Sequence, residues 1–391
     1  MNRIKENIRL DYFYRFFSNF SITSAIWVLY LGYKGMNLIQ IGLLESIFHI
    51  TGLIFEIPTG AIADLLGRKK TIVIGRVLSL VACLIVMFSN NFIYLAIGFS
   101  IDALSYNLNS GSEDALVYDS LKILGKENEY EKILGRYNLI IEVAGGIAVF
   151  IGGALANISF TLSYAAAIFI NLISLFFSLR FFEVLNKEKE VRGSLKETLR
   201  EHFKGSYFIL KENKRLRKLL VFFPLVSVFS ATVFFYGQQY FSDSGLSKIQ
   251  ISLIFLANGI FSGLGSLLSS KINRALKEKG YLFIPLGISV SIILFSLADY
   301  KFGIFSFCFI GFFTAMLYPI SSNMINELIP SKMRATIISI DSMIFSIGMV
   351  VLFPIAGVIG EYISLRFAFL IIGIIISILG SVIFYLKNIR K

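Results

Sequence analysis

The sequence predicts an all-α membrane protein with twelve transmembrane helices in two six-helix bundles, related by a pseudo-two-fold axis along the membrane normal. Three observations carry this expectation: the composition, the spacing of the apolar runs and the placement of the basic residues. Of 391 residues, 56% are hydrophobic and only 16% are charged, where soluble domains carry about 25% charge. The 39 Phe, 18 Tyr and single Trp are more aromatic surface than one water-soluble core would bury. Lipid must therefore be a second solvent for this chain.

A span needs about 20 mostly apolar residues. Reading the chain with that window gives segments near 11–32, 39–63, 70–89, 92–120, 137–157, 160–182, 218–241, 248–272, 281–298, 302–327, 335–360 and 364–386. The opening MNRIKENIR lacks the apolar run and small-residue cleavage site of a secretory signal, so the first span is expected to be retained. The sixth and seventh spans are separated by a polar stretch. This divides the chain into a first bundle at 1–182, a central loop at 183–217 and a second bundle at 218–391. Within the loop, Leu195, Leu199, Phe203 and Phe208 have roughly helical spacing. An amphipathic surface helix is expected there, with a solvated linker as the alternative.

Loop charge tests the count independently. With both termini placed in the cytoplasm, the inside segments hold 30 of the 37 Lys and Arg residues, and the outside loops hold four: Lys34, Lys248, Lys301 and Arg366. That asymmetry is the positive-inside pattern. The same sorting accounts for the net charge of +12 through topology and anionic lipid, so no nucleic-acid partner is expected. Cys83 and Cys308 lie inside apolar runs with no metal-ligand spacing. No nucleophile motif, metal cluster or Gly-rich phosphate loop is present. Neither an enzyme nor a cofactor is expected, and an ion gradient rather than ATP is the expected drive.

The two halves also share sequence. YLGYKGMNLIQI (30–41) and YFSDSGLSKIQI (240–251) align at an offset of 210, matching Tyr30 with Tyr240, Gly35 with Gly245 and Ile39-Gln40-Ile41 with Ile249-Gln250-Ile251. Both join the first and second span of their half. Since six spans return the chain to the same side, the repeat is parallel, and a cavity between two rocking bundles is the expected transport architecture.

An ionised residue at mid-bilayer costs about 2.5–3.5 kcal/mol on insertion scales, so clusters of them need a reason. On the second span Glu45, His49, Gly52, Glu56 and Gly60 keep within one stripe. Asp102, Tyr106, Asn109 and Glu113 do so on the fourth, where Asn107, Ser110, Asp114 and Asp119 add polarity on other sides. The first span offers Asp11, Arg15 and Asn19, and the fifth offers Asn138 and Glu142. One reading is structural pairing with Arg15, Arg76 or Arg136. The other is proton carriage, because a carboxylate removed from water binds a proton more readily. Asp102, Glu113 and Glu142 are the leading proton or cation sites, followed by Glu45 and Glu56, with Arg15, Asn19, Tyr106 and Asn109 lining the same cavity. In the second half Asn258, Ser262, Tyr318, Asn323, Asn326, Glu327 and Asp341 are the main polar positions, and Tyr236, Gln238, Gln239 and Tyr240 offer a pocket for an apolar or cationic substrate.

Between the second and third spans the chain reads Gly60-Ala-Ile-Ala-Asp64-Leu-Leu-Gly67-Arg68-Lys69-Lys70, followed by Gly75. This resembles the signature loop of the major facilitator superfamily, G-x-x-x-D-(R/K)-x-G-R-(R/K), except that Leu65 stands where a basic residue is common. The resemblance implies the major facilitator fold and a gating role for Gly60, Asp64, Gly67, Arg68 and Lys69. Asp64 would cap the span-eleven helix that begins after Pro330, at Ser331-Lys332-Met333-Arg334, and Arg68 would hold Asp64. The fifth span's Gly145-Gly146 and Gly152-Gly153 are similar to the glycine-rich motif of drug:proton antiporters without its proline. FEIPTGAIADLLGRKK (55–70) and SGSEDALVYDSL (110–121) resemble bacterial members of that group. The resemblance implies a monomeric bacterial cell-membrane exporter that exchanges protons for small amphipathic or cationic compounds. An importer of the same fold is the alternative, and a membrane sensor or enzyme is the reading from another class.

Overall fold

The computed structural model describes residues 2–184, 213–276, 280–326, 328–329 and 334–388. Its described residues form thirteen α-helices and one short 3-10 turn, Glu127–Glu129. The helices are α1 (Asn2–Ser18), α2 (Trp27–Tyr33), α3 (Leu38–Leu66), α4 (Arg68–Phe88), α5 (Phe92–Ile123), α6 (Tyr130–Ile158) and α7 (Phe160–Leu179). They continue as α8 (Lys214–Asp243), α9 (Lys248–Leu276), α10 (Gly280–Leu297), α11 (Tyr300–Asn326), α12 (Arg334–Tyr362) and α13 (Leu365–Asn388). Eight are long and apolar enough to cross a membrane, and Phe283–Leu297 and Leu365–Ser381 are shorter apolar helices. The expected first span is two helices: the chain leaves α1 at Ser18 and re-enters helix at Trp27. The amphipathic segment expected at 195–208 and the Ser331–Met333 stretch lie outside the described residues, as does the side chain of Asp64.

The chain divides into two compact units. Unit 1 is Met1–Trp27 with Ile47–Leu199, and unit 2 is Val28–Ser46 with Arg200–Lys391. The boundary does not follow the sequence, because α2 and the first turns of α3 pack with the second half of the chain.

In unit 1, α4 packs on α5 and α7, and α1 on α5, α6 and α7. Small residues permit close approach: a Cβ at Gly152 would collide with the backbone carbonyl of Ile22. Buried Tyr14, Ile72, Leu116 and Phe181 form one apolar cluster, and Val117, Leu121, Ile133 and Tyr137 another.

In unit 2, the 28–46 segment is held by side chains that bond its backbone. Gln238 Oε1 accepts from Val28 N at 3.1 Å, Tyr236 donates its hydroxyl to the Leu38 carbonyl at 3.0 Å, and Ser46 donates to the Val350 carbonyl at 2.9 Å. Glu361 accepts from Leu38 N at 2.9 Å, at the exposed start of α3. At Gly42 a Cβ would lie 2.7 Å from Pro354 Cα, so only glycine lets α3 and α12 meet there. Tyr236 and Gln238, expected in a substrate pocket, are buried and spent on this attachment.

The repeated motif folds twice in the same way. Gly35 and Gly245, matched by sequence, take φ of 87° and 86° and end their helices in the left-handed conformation. Met36 N reaches Leu31 O and Leu246 N reaches Phe241 O, the six-to-one bond of that termination. After each turn Gln40 and Gln250 accept from the backbone N–H of Asn37 and Ser247, while those residues' side chains accept from Gln40 N and Gln250 N. These are reciprocal capping boxes.

Candidate functional site

The polar residues of α1 and α5 converge inside unit 1. Asp11 and Arg15 are one turn apart, which places both on one face of α1. Arg15 Nε donates to Asp11 Oδ2 at 2.7 Å, and its terminal nitrogen reaches Asp114 Oδ1 on α5 at 2.5 Å. Beside them Tyr14 donates its hydroxyl to Glu113 Oε1 at 2.6 Å, and Arg76 of α4 comes within 3.6 Å of the same oxygen. The guanidiniums also lie over aromatic faces, Arg15 at 4.5 Å from the Tyr137 ring centre and Arg76 at 5.6 Å from that of Tyr14.

Burial makes this arrangement costly unless it is balanced. Asp11 and Tyr14 are wholly buried and Arg15 is 6% exposed, while the Asp114 side chain is half exposed. Arg76 also interacts with Asp102. Four carboxylates thus act on two guanidiniums. Asp11 Oδ1 and the Tyr137 hydroxyl are buried close enough to interact, yet neither has a completed hydrogen bond among the described residues. Such groups are expensive in a low-dielectric interior.

Of the residues singled out by sequence, Arg15 and Glu113 stand in this cluster and Asp102 at its edge. Asn109 is buried against α4, where its side chain fills the space a Cβ at Gly75 would occupy, and Ser105 donates to the Gly75 carbonyl at 2.8 Å. Asn19 donates back to the Arg15 carbonyl at 2.9 Å, where α1 ends. Tyr106, Glu56 and Glu142 are exposed, and Glu45 is half-buried on α3 within unit 2. The sequence stripes noted Asp11, Arg76 and Asp114 as polar without placing them in the site. They missed Tyr14 and Tyr137, whose only signal was a hydroxyl-bearing ring close in sequence to a charged residue inside a span.

The loop expected to act as a gate is ordered by groups outside it. Gly67, at φ 92°, turns the chain from α3 into α4. The first turn of α4 is capped by Glu183, which accepts from Lys69 N and Lys70 N at 3.3 Å each. A Cβ at Gly67 would lie 2.6 Å from the Glu183 carboxyl carbon, so the glycine is required twice. Glu183 is itself fixed by the buried Asn7, whose amide brackets the Phe182 peptide, accepting from Phe182 N at 2.8 Å and donating to Phe182 O at 2.9 Å. The resemblance paired Arg68 with Asp64. Among the described side chains, Arg68 meets Asp119 on α5, at 4.0 Å.

A profile described as the Major Facilitator Superfamily matches residues 12–298 and 239–391. The chain belongs to the major facilitator superfamily. It is 24% identical over 369 residues to an uncharacterized MFS-type transporter, YxaM, of Bacillus subtilis (strain 168), covering 91% of this chain and 90% of that protein. Among solved structures it resembles the nucleoside transporter NupG, with a TM-score of 0.77 at 15% identity over 98% of this chain and 98% of that one. It also resembles a D-xylose-proton symporter, with a TM-score of 0.71 at 13% identity over 96% and 95%. At these identities the solved structures speak for the fold. The protein is a membrane transporter of the superfamily type.

Proposed function

We propose that this transporter is proton-coupled and exports small amphipathic or cationic compounds by alternating access. Its twelve spans would form two six-helix bundles, at 1–182 and 218–391, joined by the central loop, with both termini cytoplasmic and the monomer as the working unit in a bacterial cell membrane. The observation that carries the reading is the excess of carboxylate in unit 1. Asp11, Asp102, Glu113 and Asp114 act on the two guanidiniums of Arg15 and Arg76, and one buried carboxylate oxygen lacks a hydrogen bond among the described residues. A proton balances part of that charge, and its loss to one side of the membrane would bias the bundle toward the other conformation. Asp102, Glu113 and Glu142 remain the proposed proton sites, and Asp11 joins them on its burial. Glu45, Glu56, Asn19, Tyr106 and Asn109 are proposed to line the path. Gly60, Asp64, Gly67, Arg68 and Lys69 are proposed to govern the cytoplasmic gate, which the capped Gly67 turn supports.

Proton-driven uptake of a nutrient is the second reading, favoured by the fold likeness to a proton symporter of D-xylose. Both are tested in proteoliposomes with an imposed pH gradient and a panel of organic cations, nucleosides and sugars. Export predicts that an acid interior drives accumulation of a cationic dye in inverted vesicles, and that Asp11→Asn combined with Glu113→Gln abolishes it. Accumulation of a sugar or nucleoside down the proton gradient would establish import. Full gradient-dependent transport by the double variant would remove the coupling assignment.

A further inference from the structure

Within unit 1, α7 exposes Phe169, Leu172, Phe176 and Leu179, spaced by three, four and three residues and so on one face. Lipid asks as much of any span, and the stripe alone names no occupant. Where this face meets α1, however, there is a groove of about 430 Å³ lined by Phe17, Leu172, Ile173, Phe176 and Phe177. That volume is inside the range of small-ligand sites, about 300–1,000 Å³. One side is an aromatic shelf shared by two helices: the Phe177 ring stacks on Phe13 at 5.5 Å and on Phe17 at 5.7 Å, within 9° and 10° of parallel.

The lining is apolar throughout, and two cations stand at one end of it. Arg180, the residue at which α7 ends, lays its guanidinium over the ring of the groove residue Phe176 at 4.4 Å. Arg9 is exposed one turn before Phe13, on the face of α1 that carries the shelf. The hydrogen bonds between Asn7 and the Phe182 peptide fix the level at which α1 meets α7, and each arginine is two residues from them. They therefore belong to the same end of the groove. No carboxylate pairs with either among the described residues.

An apolar solute would leave both guanidiniums unmatched, and a soluble anion would leave the groove unfilled. An amphiphile satisfies both. From Arg180 back to Leu172 is about 12 Å at about 1.5 Å per residue, close to the depth of one leaflet's hydrocarbon, about half of a 30 Å core. Two positive charges suit a headgroup of net negative charge better than one whose phosphate carries its own ammonium. We infer that the groove holds an acyl chain of an anionic phospholipid along α7, with the lipid phosphate on Arg180 and Arg9. The site does not depend on the coupling assignment.

The test uses the full chain in micelles cleared of copurified lipid, titrated with phosphatidylglycerol and phosphatidylcholine of the same acyl chains and read by native mass spectrometry. Phosphatidylglycerol should be retained where phosphatidylcholine is lost. Arg180→Gln and Arg9→Gln should each weaken phosphatidylglycerol binding by about tenfold or more, the scale of a hydrogen bond to a charged group. Lys132→Gln, which removes an exposed charge from α6, should not. Leu172→Trp fills the groove from an exposed position and should release both lipids with the melting temperature unchanged. Equal retention of the two lipids, binding as tight in either arginine variant as in Lys132→Gln, or full binding by Leu172→Trp overturns the proposal. So does a dimer that Leu172→Trp dissociates, which would make the groove a contact between copies of the chain.

Discussion

Tyr14 donates to Glu113 across 99 residues of chain, in a 2.6 Å hydrogen bond buried between α1 and α5. Arg76 approaches the same oxygen at 3.6 Å, so the tyrosine supplies the shorter of two contacts that hold a carboxylate inside unit 1. Removing only the hydroxyl isolates its contribution. Tyr14→Phe should lower stability by about 1.5–3 kcal/mol, the range for hydrogen bonds to charged groups. Thermal unfolding in micelles measures this, and an unchanged midpoint would show Arg76 alone to be sufficient.

Arg15 neutralises the wholly buried Asp11 and the half-exposed Asp114. Arg15→Gln strands the first of these, and breaking a buried pair costs about 3–5 kcal/mol. Adding Asp11→Asn to that variant should restore part of the loss, since the uncompensated charge is then gone. A double variant no more stable than Arg15→Gln would place the cost elsewhere.

The glycines separate by what surrounds them. Gly42→Ala puts a methyl 2.7 Å from Pro354 Cα, and Gly357→Ala puts one 2.5 Å from the Leu38 carbonyl. Each should destabilise by about 1–3 kcal/mol through overpacking. Gly60 has nothing within 4 Å of the same position, so Gly60→Ala should hold or raise the melting temperature through helix propensity. Equal behaviour of the three variants would refute the close approach of α3 and α12.

Asn7 is fully buried and makes both hydrogen bonds to the Phe182 peptide. Asn7→Ala should cost about 1–3 kcal/mol and should speed amide exchange at Phe182 and at Lys69 and Lys70, because Glu183 follows Phe182 into its capping position. Hydrogen–deuterium exchange by mass spectrometry reads this directly. Faster exchange at Phe182 alone would mean that Glu183 holds its place without the clamp.

The sequence was most legible where the information is local. Apolar runs placed most helices to within a few residues, the first span and the start of α6 excepted, and the match of Gly35 with Gly245 and Gln40 with Gln250 anticipated two turns of one geometry. Each depends on neighbours within six positions. The break after Ser18 was not legible. Residues 18–24 (SNFSITS) are ordinary span residues by composition, and at the break the Ile22 backbone lies against Gly152 of α6, a contact that only the folded chain shows.

What the sequence alone determined was therefore the kind of molecule and the direction of its polar stripes: oil-compatible helices of fixed length, and acids repeating every three or four residues toward one side. Only the tertiary structure decided which acid meets which base. A helical period gives the bearing of a side chain but not the identity of what lies opposite, and Arg15 finds Asp114, Tyr14 finds Glu113 and Glu183 finds the α4 N-terminus across about a hundred intervening residues. Those pairings are set by the depth and rotation at which neighbouring helices pack, which no stretch of one helix encodes by itself.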